Sequence, residues 1–302
     1  MAFSKVIVVG GGISVEREVS IRSASCVYAA VRAAGFEVEY LDYQGDFKVF
    51  QHVSYADIVL PILHGVGGED GVIQEYFESR RIRFLGSGSA SSRLSIDKWA
   101  TRKRWASLGL PVAPGMLVGY DEYWNCNLTS APHVLKTCRG GSSIGVYVVR
   151  DPLHIDSKAV DHVFGLDDDV FVEQYCSGVE ITVSILKNKA LPIVEIQPPP
   201  GDFFSFENKY NGSSAETCPP ISIDNSTQEA AKKIGLAAHN AVDARHLSRV
   251  DMIVGANGGI TLLEINSMPG MTNESLYPKS ALVEGLDMPA LIKELIYLVD
   301  ND

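Results

Sequence analysis

The sequence predicts an α/β protein that begins with an open parallel sheet and continues with two α+β parts. Three observations carry this prediction. Strand-like apolar runs alternate with helical segments over about the first 85 residues, predicted strands dominate later, and Asn257-Gly258 separates two alternating apolar runs. At 302 residues the chain is long for a single domain. We therefore expect two or three domains that share a cleft.

The first part alternates strands and helices in the order of a parallel sheet. Strands are predicted at 5–10, 38–43, 57–63 and 83–86, and helices at about 14–34 and 71–80. The small-residue run GSGSASS (86–92) is interpreted as a linker. This places the first domain at residues 1–90.

The second and third parts are richer in strands. A helix from about Ile96 ends where Gly109 and Pro111 stop it, and a boundary is expected near Ser177-Gly178. The Ser226-x-x-Glu229 spacing predicts a capping box that opens a late helix. The domains are thus expected at 91–176 and 177–302, with strands at 133–136, 145–149, 170–175, 180–186, 191–196, 249–254 and 260–266.

Composition narrows the class of protein. Hydrophobic residues make up 46% and charged residues 21%, which indicates a packed core. The net charge of −11 disfavours nucleic acid and acidic membrane surfaces as partners. The five cysteines are scattered without CxxC spacing, which favours free thiols in the cytoplasm. The apolar start reads as a strand rather than a signal peptide, and no run approaches the roughly 18 apolar residues of a membrane span.

The segment RVDMIVGANGGITLLEINSMPGMT (249–272) is the most informative one. With Asn257-Gly258 as a two-residue loop, Asp251 lies opposite Glu264 and Arg249 opposite Asn266. These four side chains share one face, and the other face would carry the core residues Val250, Met252, Val254, Leu263 and Ile265. Two carboxylates and an amide oxygen suit Mg²⁺, which keeps waters and bridges phosphates. The alternative is a solvated face with cross-strand ion pairs.

Two glycine-rich turns are weaker signals. The loop Arg139–Gly145 lies between two predicted strands, and its backbone N–H groups could bind phosphate, although such a loop is often an ordinary turn. It lacks the GxxxxGK[ST] pattern. The turn that begins at Gly10 resembles a dinucleotide fingerprint, but Val15 stands in place of the third glycine. His64 lies in a further glycine-rich loop after a strand, where α/β sheets place their ligands.

Taken together, the motifs resemble the D-alanine–D-alanine ligases of the ATP-grasp fold. Eight stretches occur in family order from residue 10 to about 278, which makes the resemblance specific. They are GGGISVEREVS, LHGVGGEDGVIQ, SIDKWATR, LPVAPG, GGSSIGV, FVEQYCSGVEITVSIL, FENKY and RVDMIV…LLEINSMPGMTNESLYP. The resemblance implies an ATP-grasp fold behind an N-terminal Rossmann-like domain.

The resemblance also implies roles for particular residues in binding the amino acids. Glu16 would hold the ammonium group of the first D-alanine, with His64 nearby. Arg249 and the backbone of Gly270 would stabilise the tetrahedral intermediate, and Ser275 and Leu276 would receive the carboxylate of the second D-alanine. A hydrogen-bonded triad of Tyr210, Ser142 and Glu16 would join a mobile loop, 201–218, to the active site.

For ATP and metal the resemblance implies a second group of residues. Asp251, Glu264 and Asn266 would hold two Mg²⁺ ions, for which Mn²⁺ can substitute. Phosphates and adenosine would be bound by Lys98, Lys136, Ser142, Ser143, Glu173, Cys176, Glu180 and Lys209. The implied reaction makes D-alanyl-D-alanine through an acyl phosphate for peptidoglycan synthesis, in a cytoplasmic homodimer.

Several positions depart from the family pattern, and other functions stay open. Thr137-Cys138, Gly140, Ile96, Ser267 and the stretch FFSFENKY differ from the usual residues, but none removes a group that the mechanism needs. An ATP-grasp ligase that uses D-lactate or another amino acid as acceptor is the main alternative. A non-catalytic binding module and a nicotinamide-dependent dehydrogenase are the others.

Overall fold

The computed structural model describes residues 3–199 and 214–302. Its first sheet is parallel, in the strand order β2-β1-β3-β4. The strands are β1 (Val6–Gly11), β2 (Val38–Tyr43), β3 (Ile58–Pro61) and β4 (Arg83–Phe84). The helices of this part are α1 (Arg17–Ala33) and α2 (Val72–Ser79), with a 3-10 turn at Phe47–Phe50. The predicted parallel sheet is therefore confirmed.

Both faces of this sheet are covered, because β1 is buried along its whole length. Val6 and Val8 point into one apolar cluster, and Ile7 and Val9 into another. The first cluster is completed from the far end of the chain. Its members include Leu291, Ile292, Leu295, Ile296 and Val299, all from the last helix.

The second sheet is antiparallel and has the order β5-β8-β6-β7. The strands are β5 (Gly115–Leu117), β6 (His133–Thr137), β7 (Val146–Val149) and β8 (Val170–Gln174). Before it come α3 (Ser89–Ile96) and α4 (Lys98–Ser107), and around it lie α5 (Tyr120–Tyr123), a 3-10 turn at Asn127–Ser130 and α6 (Ser157–Phe164). The predicted linker at 86–92 is thus wrong in its second half. Serines tolerate a helix when packing supports it, and Ser91, Ser92 and Ser95 are buried here.

The third sheet is antiparallel, with the order β12-β11-β9-β13-β14 and β10 paired to β9. The strands are β9 (Val179–Leu186), β10 (Lys189–Ala190), β11 (Val194–Gln197), β12 (Ala215–Thr217), β13 (Leu247–Val254) and β14 (Ile260–Asn266). The helices are α7 (Asn225–Ala241), α8 (Leu276–Val283) and α9 (Met288–Asp300). No helix in the described ranges is long and apolar enough to cross a membrane.

Two local predictions for this part concern the cap of α7 and the mobile loop. Asp224, not Ser226, caps α7, because its carboxylate accepts the hydrogen bond from the Thr227 amide. The predicted mobile loop, 201–218, overlaps β12 at its end, and the rest of it up to residue 213 lies outside the described residues. The strands of each sheet fall within one of the three predicted domains, whose boundaries stay predictions.

Candidate active site

The β13–β14 hairpin presents the predicted polar face, and its register there is as predicted. Asp251 pairs with Glu264, and Arg249 with Asn266. The loop itself differs from the prediction. It contains three residues, Ala256 to Gly258, closed by hydrogen bonds between Gly255 and Gly259 and between Gly258 and Gly255. A β-bulge between Asp251 and Met252 then restores the predicted register toward the site.

The bulge changes which leucine faces the core. Leu262 pairs with Met252 and is buried in the core cluster of this sheet. Leu263 instead lines the central cleft, as Ile253 does. The prediction that Leu263 lies on the core face was therefore wrong, because the extra residue in β14 moves its neighbours to the opposite side of the strand.

Asp251 is buried and held by several donors. Arg249 donates to both carboxylate oxygens, at 2.9 and 2.8 Å, and the Thr182 hydroxyl donates at 2.6 Å. The Asn266 amide donates at 3.2 Å. This fixes the carboxylate of Asp251 beside that of Glu264 on the same face. Arg249, predicted to act on the substrate, is paired with Asp251 in this structure.

The donor set on this face fits Mg²⁺ better than a metal that needs a full protein cage. Among the described residues there is no group of three or more His, Cys, Asp or Glu side chains suited to a metal. Mg²⁺ needs no such group, because it commonly binds one or two carboxylates and completes its shell with water and phosphate. Asp251, Glu264 and Asn266 supply oxygens of this kind.

A central cleft lies between the second sheet and the hairpin, and it gathers most of the residues predicted for the nucleotide. It contains about 840 Å³ of space, part of it open to solvent. Apolar walls come from Ala113, Val134, Val146, Val148 and Leu263. The predicted residues that line it are Lys98, Lys136, Ser143, Glu173, Cys176, Glu180, Asp251 and Glu264.

Inside this cleft, Glu173 is bound by two cations. Lys136 lies 2.6 Å from one carboxylate oxygen and Arg102 lies 3.0 Å from the other. Burial lowers the pKa of Lys136, but the attraction and the hydrogen bond of Glu173, together with the Glu264 carboxylate, outweigh this effect and the pKa is raised. Burial lowers the pKa of Arg102 from its very high ordinary value, so both groups carry a positive charge at neutral pH. The Glu173 carboxylate, predicted to contact adenine, thus forms ion pairs with Lys136 and Arg102 in this structure.

The loop between β6 and β7 contains a tight turn, in which the Ile144 amide donates to the Gly141 carbonyl at 3.0 Å. Ser142 and Ser143 adopt positive φ angles of 54° and 60°, which are unusual for residues other than glycine. Two consecutive residues of this kind are typical of a type I′ turn, and the binding of phosphate by its N–H groups stays a prediction. Lys98 donates from its ammonium group to the Gly140 carbonyl, and so binds the loop to the start of α4.

Glu16 connects this loop with the first sheet. It is 8% exposed, and its carboxylate accepts a hydrogen bond from the Ser142 hydroxyl, as the predicted triad requires. An added methyl group at Gly65 or at Gly141 would approach the Glu16 carboxylate to 2.9 Å. Both glycines therefore allow the close approach of their loops to Glu16. The third predicted member, Tyr210, lies outside the described residues, as does Lys209.

His64 and Glu69 lie in the glycine-rich loop after β3. His64 is 6% exposed, its Nε2 atom has no hydrogen-bond partner in the described part of the chain, and burial lowers its pKa. Glu69 accepts a hydrogen bond from the Gly65 amide at 2.8 Å. Glu69 lines a smaller pocket, and Lys98 and Glu264 line both this pocket and the central cleft. A buried polar atom without a protein partner is typical of a site that receives a polar ligand.

Glu69 gives the folded protein a testable dependence on pH. Burial, together with the nearby Glu16 carboxylate, raises its pKa from 4.5 to about 8. Between these values the folded protein keeps a proton that the unfolded chain releases, so the stability that Glu69 confers falls as pH rises and is lost above pH 8 or so. We expect Glu69→Gln to melt at least about 2 °C above the unmodified protein at pH 9, and the difference to vanish near pH 5. Calorimetry between pH 5 and pH 9 measures this difference in melting temperature. A difference that is constant with pH would contradict the shifted pKa.

The predicted acceptor residues lie at the start of α8. Ser275 precedes this helix, and its hydroxyl is hydrogen-bonded to the Thr272 amide and hydroxyl, at 3.1 and 2.8 Å. Gly270 lies so close that an added methyl group would approach the Ser275 hydroxyl to 2.9 Å. The N–H groups at a helix N-terminus attract carboxylates. The roles predicted for Gly270, Ser275 and Leu276 fit this placement and stay predictions.

Two residues of the site were missed from the sequence. Glu69 has a weak sequence signal, an acidic residue in a glycine-rich loop that follows a strand. Arg102 has a stronger one, since it follows Lys98 by four residues and so shares its face of α4. Neither was distinguishable from an ordinary surface charge without knowing what packs against it.

Comparison with known proteins adds an independent observation. A D-alanine–D-alanine ligase from Mannheimia succiniciproducens is 35% identical over an alignment that covers 97% of each protein. Residues 105–297 match the family described as the D-ala D-ala ligase C-terminus. The chain belongs to the D-alanine–D-alanine ligase family. The family and the ATP-grasp fold that its members share, both expected from the sequence, are confirmed.

Solved structures agree with this membership in the D-alanine–D-alanine ligase family. That of the D-alanine–D-alanine ligase from Bacillus anthracis in complex with ATP has a TM-score of 0.83 and 29% identity, over 99% of this chain and 98% of the other. VanG D-Ala:D-Ser ligase from Enterococcus faecalis has a TM-score of 0.83 and 27% identity, over 98% and 99%. The similarity therefore extends over the whole length of these proteins.

Proposed function

We propose that this protein joins two molecules of D-alanine to D-alanyl-D-alanine and converts ATP to ADP and phosphate. The observation that carries the proposal is the meeting of two features at one cleft. These are the oxygen-bearing face of the hairpin, with Asp251 and Glu264, and the lysines Lys98 and Lys136 near the turn that contains Ser143. Membership in the D-alanine–D-alanine ligase family supports this reading of the cleft.

We place ATP in the central cleft with its base toward the apolar walls and its phosphates toward the lysines. The base would lie between the apolar walls, with Val134 and Val148 on one side and Leu263 on the other. Glu180 would reach the ribose, and the phosphates would point toward Lys136, Lys98 and the Ser142–Ser143 turn. Asp251, Glu264 and Asn266 would hold Mg²⁺, which when bound supplies positive charge at the phosphate oxygens.

The residues of the chain then orient the two amino acids. Glu16 would bind the ammonium group of the first D-alanine. A carboxylate oxygen of this D-alanine then attacks the γ-phosphorus of ATP, which forms an acyl phosphate and releases ADP. The amine nitrogen of the second D-alanine, after loss of a proton, attacks the acyl carbon, and phosphate leaves. Arg249 and the Gly270 amide would stabilise the negative oxygen of the tetrahedral intermediate.

Water is a competitor for the acyl phosphate, so the order of events matters. Binding energy is best used to place the amine and to exclude water at the same time. The segment that carries Lys209 and Tyr210 would do this in the predicted reaction. The dipeptide product would serve peptidoglycan synthesis, and we place the enzyme in the cytoplasm as a homodimer. All five cysteines are free thiols, which agrees with a reducing compartment.

One assay tests the proposed reaction. Phosphate release from ATP is measured with Mg²⁺ and D-alanine, then with D-serine or D-lactate added as competing acceptors, and the products are identified by mass. We expect release to require D-alanine and D-alanyl-D-alanine to be the main product at neutral pH. L-alanine is the control. Release that is independent of D-alanine, or a main product containing D-lactate or D-serine, would contradict the proposed acceptor.

A further inference from the structure

A buried arginine lies behind the central cleft, and the proposed reaction does not yet use it. Arg102 is 7% exposed, and its guanidinium lies 3.0 Å from Glu173. Its guanidinium lies over two aromatic rings, 5.4 Å from the centre of Trp99 and 6.0 Å from that of Phe171, and these rings contact each other with their centres 5.6 Å apart. Contacts with both rings restrict the position of the guanidinium group.

The sheet explains why Glu173 faces both cations. On β6 and β8, Val134 pairs with Glu173 and Lys136 pairs with Phe171, so Lys136 and Glu173 are diagonal neighbours on one face. Gly115, on the next strand, lies directly opposite Glu173. A methyl group there would come to 3.0 Å from the Arg102 guanidinium, so the glycine leaves the space through which Arg102 reaches Glu173.

The charges of the three groups matter to a phosphate. With Lys136 and Glu173 alone, the pair would be neutral, and the lysine ammonium would be drawn to the carboxylate at 2.6 Å. With Arg102 on the other carboxylate oxygen, the cluster has a net charge of one positive unit. Arg102 also occupies one oxygen of the Glu173 carboxylate. The carboxylate therefore attracts Lys136 less strongly and competes less with a phosphate for the lysine ammonium group.

We infer that Arg102 is a positioning residue for nucleotide binding, which acts by neutralising Glu173 so that Lys136 can bind the phosphates of ATP. The guanidinium itself does not need to touch the nucleotide. The inference rests on the proposed function for its ligand, but it concerns a binding step that is measurable without any ligation.

The first measurement is nucleotide binding by calorimetry, with ADP and Mg²⁺. We expect Arg102→Met to weaken binding about tenfold, which corresponds to about 1.4 kcal/mol. Arg102→Lys, which keeps the charge, should recover most of the affinity. Arg104→Met is the matched control, because Arg104 lies on the same helix but is exposed and bonded to the Ala241 carbonyl. It should bind ADP as the unmodified protein does.

The second measurement separates this role from a merely structural one. If Arg102 acts through Glu173, Arg102→Met should have little effect in a Glu173→Gln background, where no charge needs neutralising. We expect less than about a twofold change there, against about tenfold in the unmodified background. Equal losses in both backgrounds, or a lower melting temperature with unchanged ADP affinity, would overturn the inference.

Steady-state kinetics distinguish a failure of this inference from a failure of the proposed function. We expect Arg102→Met to raise the KM for ATP about tenfold while changing the KM for D-alanine less than about twofold. If D-alanine does not stimulate phosphate release at all, the proposed function fails, and the ADP titrations still decide the role of Arg102. If ligation occurs and the KM for ATP is unchanged, the role of Arg102 fails alone.

Discussion

Glu264→Gln and Asp251→Asn are each expected to lower ligation by about a thousandfold or more while the protein stays folded. Each change keeps the shape of the side chain and removes one negative charge from the face that would hold Mg²⁺. Glu264→Gln is the cleaner of the two, because Asp251→Asn also removes the partner of Arg249, whose side chain is only 13% exposed. A stability loss is therefore expected for Asp251→Asn alone.

The measurement is D-alanine-dependent phosphate release at saturating Mg²⁺ and ATP, with circular dichroism as a check on folding. Glu229→Gln is the control, because Glu229 is an exposed carboxylate on α7 that forms an ion pair with Lys232 on the same helix. It should leave turnover unchanged. Near-normal turnover of both cleft variants at saturating Mg²⁺ would exclude the hairpin as the metal site.

Glu16→Gln is expected to lower kcat/KM for D-alanine about a hundredfold, with a smaller effect on the KM for ATP. The carboxylate is buried, and it meets both the proposed ammonium group and the Ser142 hydroxyl. The amide can still accept the hydrogen bond from Ser142, so the turn should keep its place. What is lost is the negative charge that would pair with the substrate.

Initial rates at varied D-alanine and fixed ATP measure this change. Glu18→Gln is the matched control, because Glu18 is an exposed carboxylate in the first turn of the same helix. It should behave as the unmodified enzyme. If Glu16→Gln raised the KM for ATP and left that for D-alanine unchanged, Glu16 would act through the phosphate turn, and its assignment to the substrate would be wrong.

Much of the fold was predictable from the sequence, because local pattern and final packing agree. The first sheet is an example, since β1 and β2 are continuous apolar or alternating runs bounded by glycines and a helix. The run at Ser89–Ile96 was not predictable as a helix. Its serines have no strong intrinsic preference, and burial against neighbouring elements decides its conformation.

The candidate site divides in the same way. The pairing of Asp251 with Glu264 followed from alternation and from the Asn-Gly signal, although the loop length was wrong and a bulge compensated for it. The partners of Glu173 did not follow, because Arg102 is 71 residues away along the chain. The raised pKa of Glu69 likewise depends on burial and on Glu16, and a sequence pattern gives neither.

The packing of α9 against the first sheet has a consequence for how the protein is made. Leu291, Ile292 and Leu295 fill a cluster that also contains Val6 and Val8, so the first sheet stays incompletely covered until α9, which follows it in the chain, has left the ribosome. The first domain therefore cannot complete its folding before the C-terminal part of the chain has been made, in contrast to proteins whose domains fold one by one from the N-terminus. Nascent chains that stop before residue 288 would expose apolar surface of the opening sheet, which makes them substrates for chaperones and proteases.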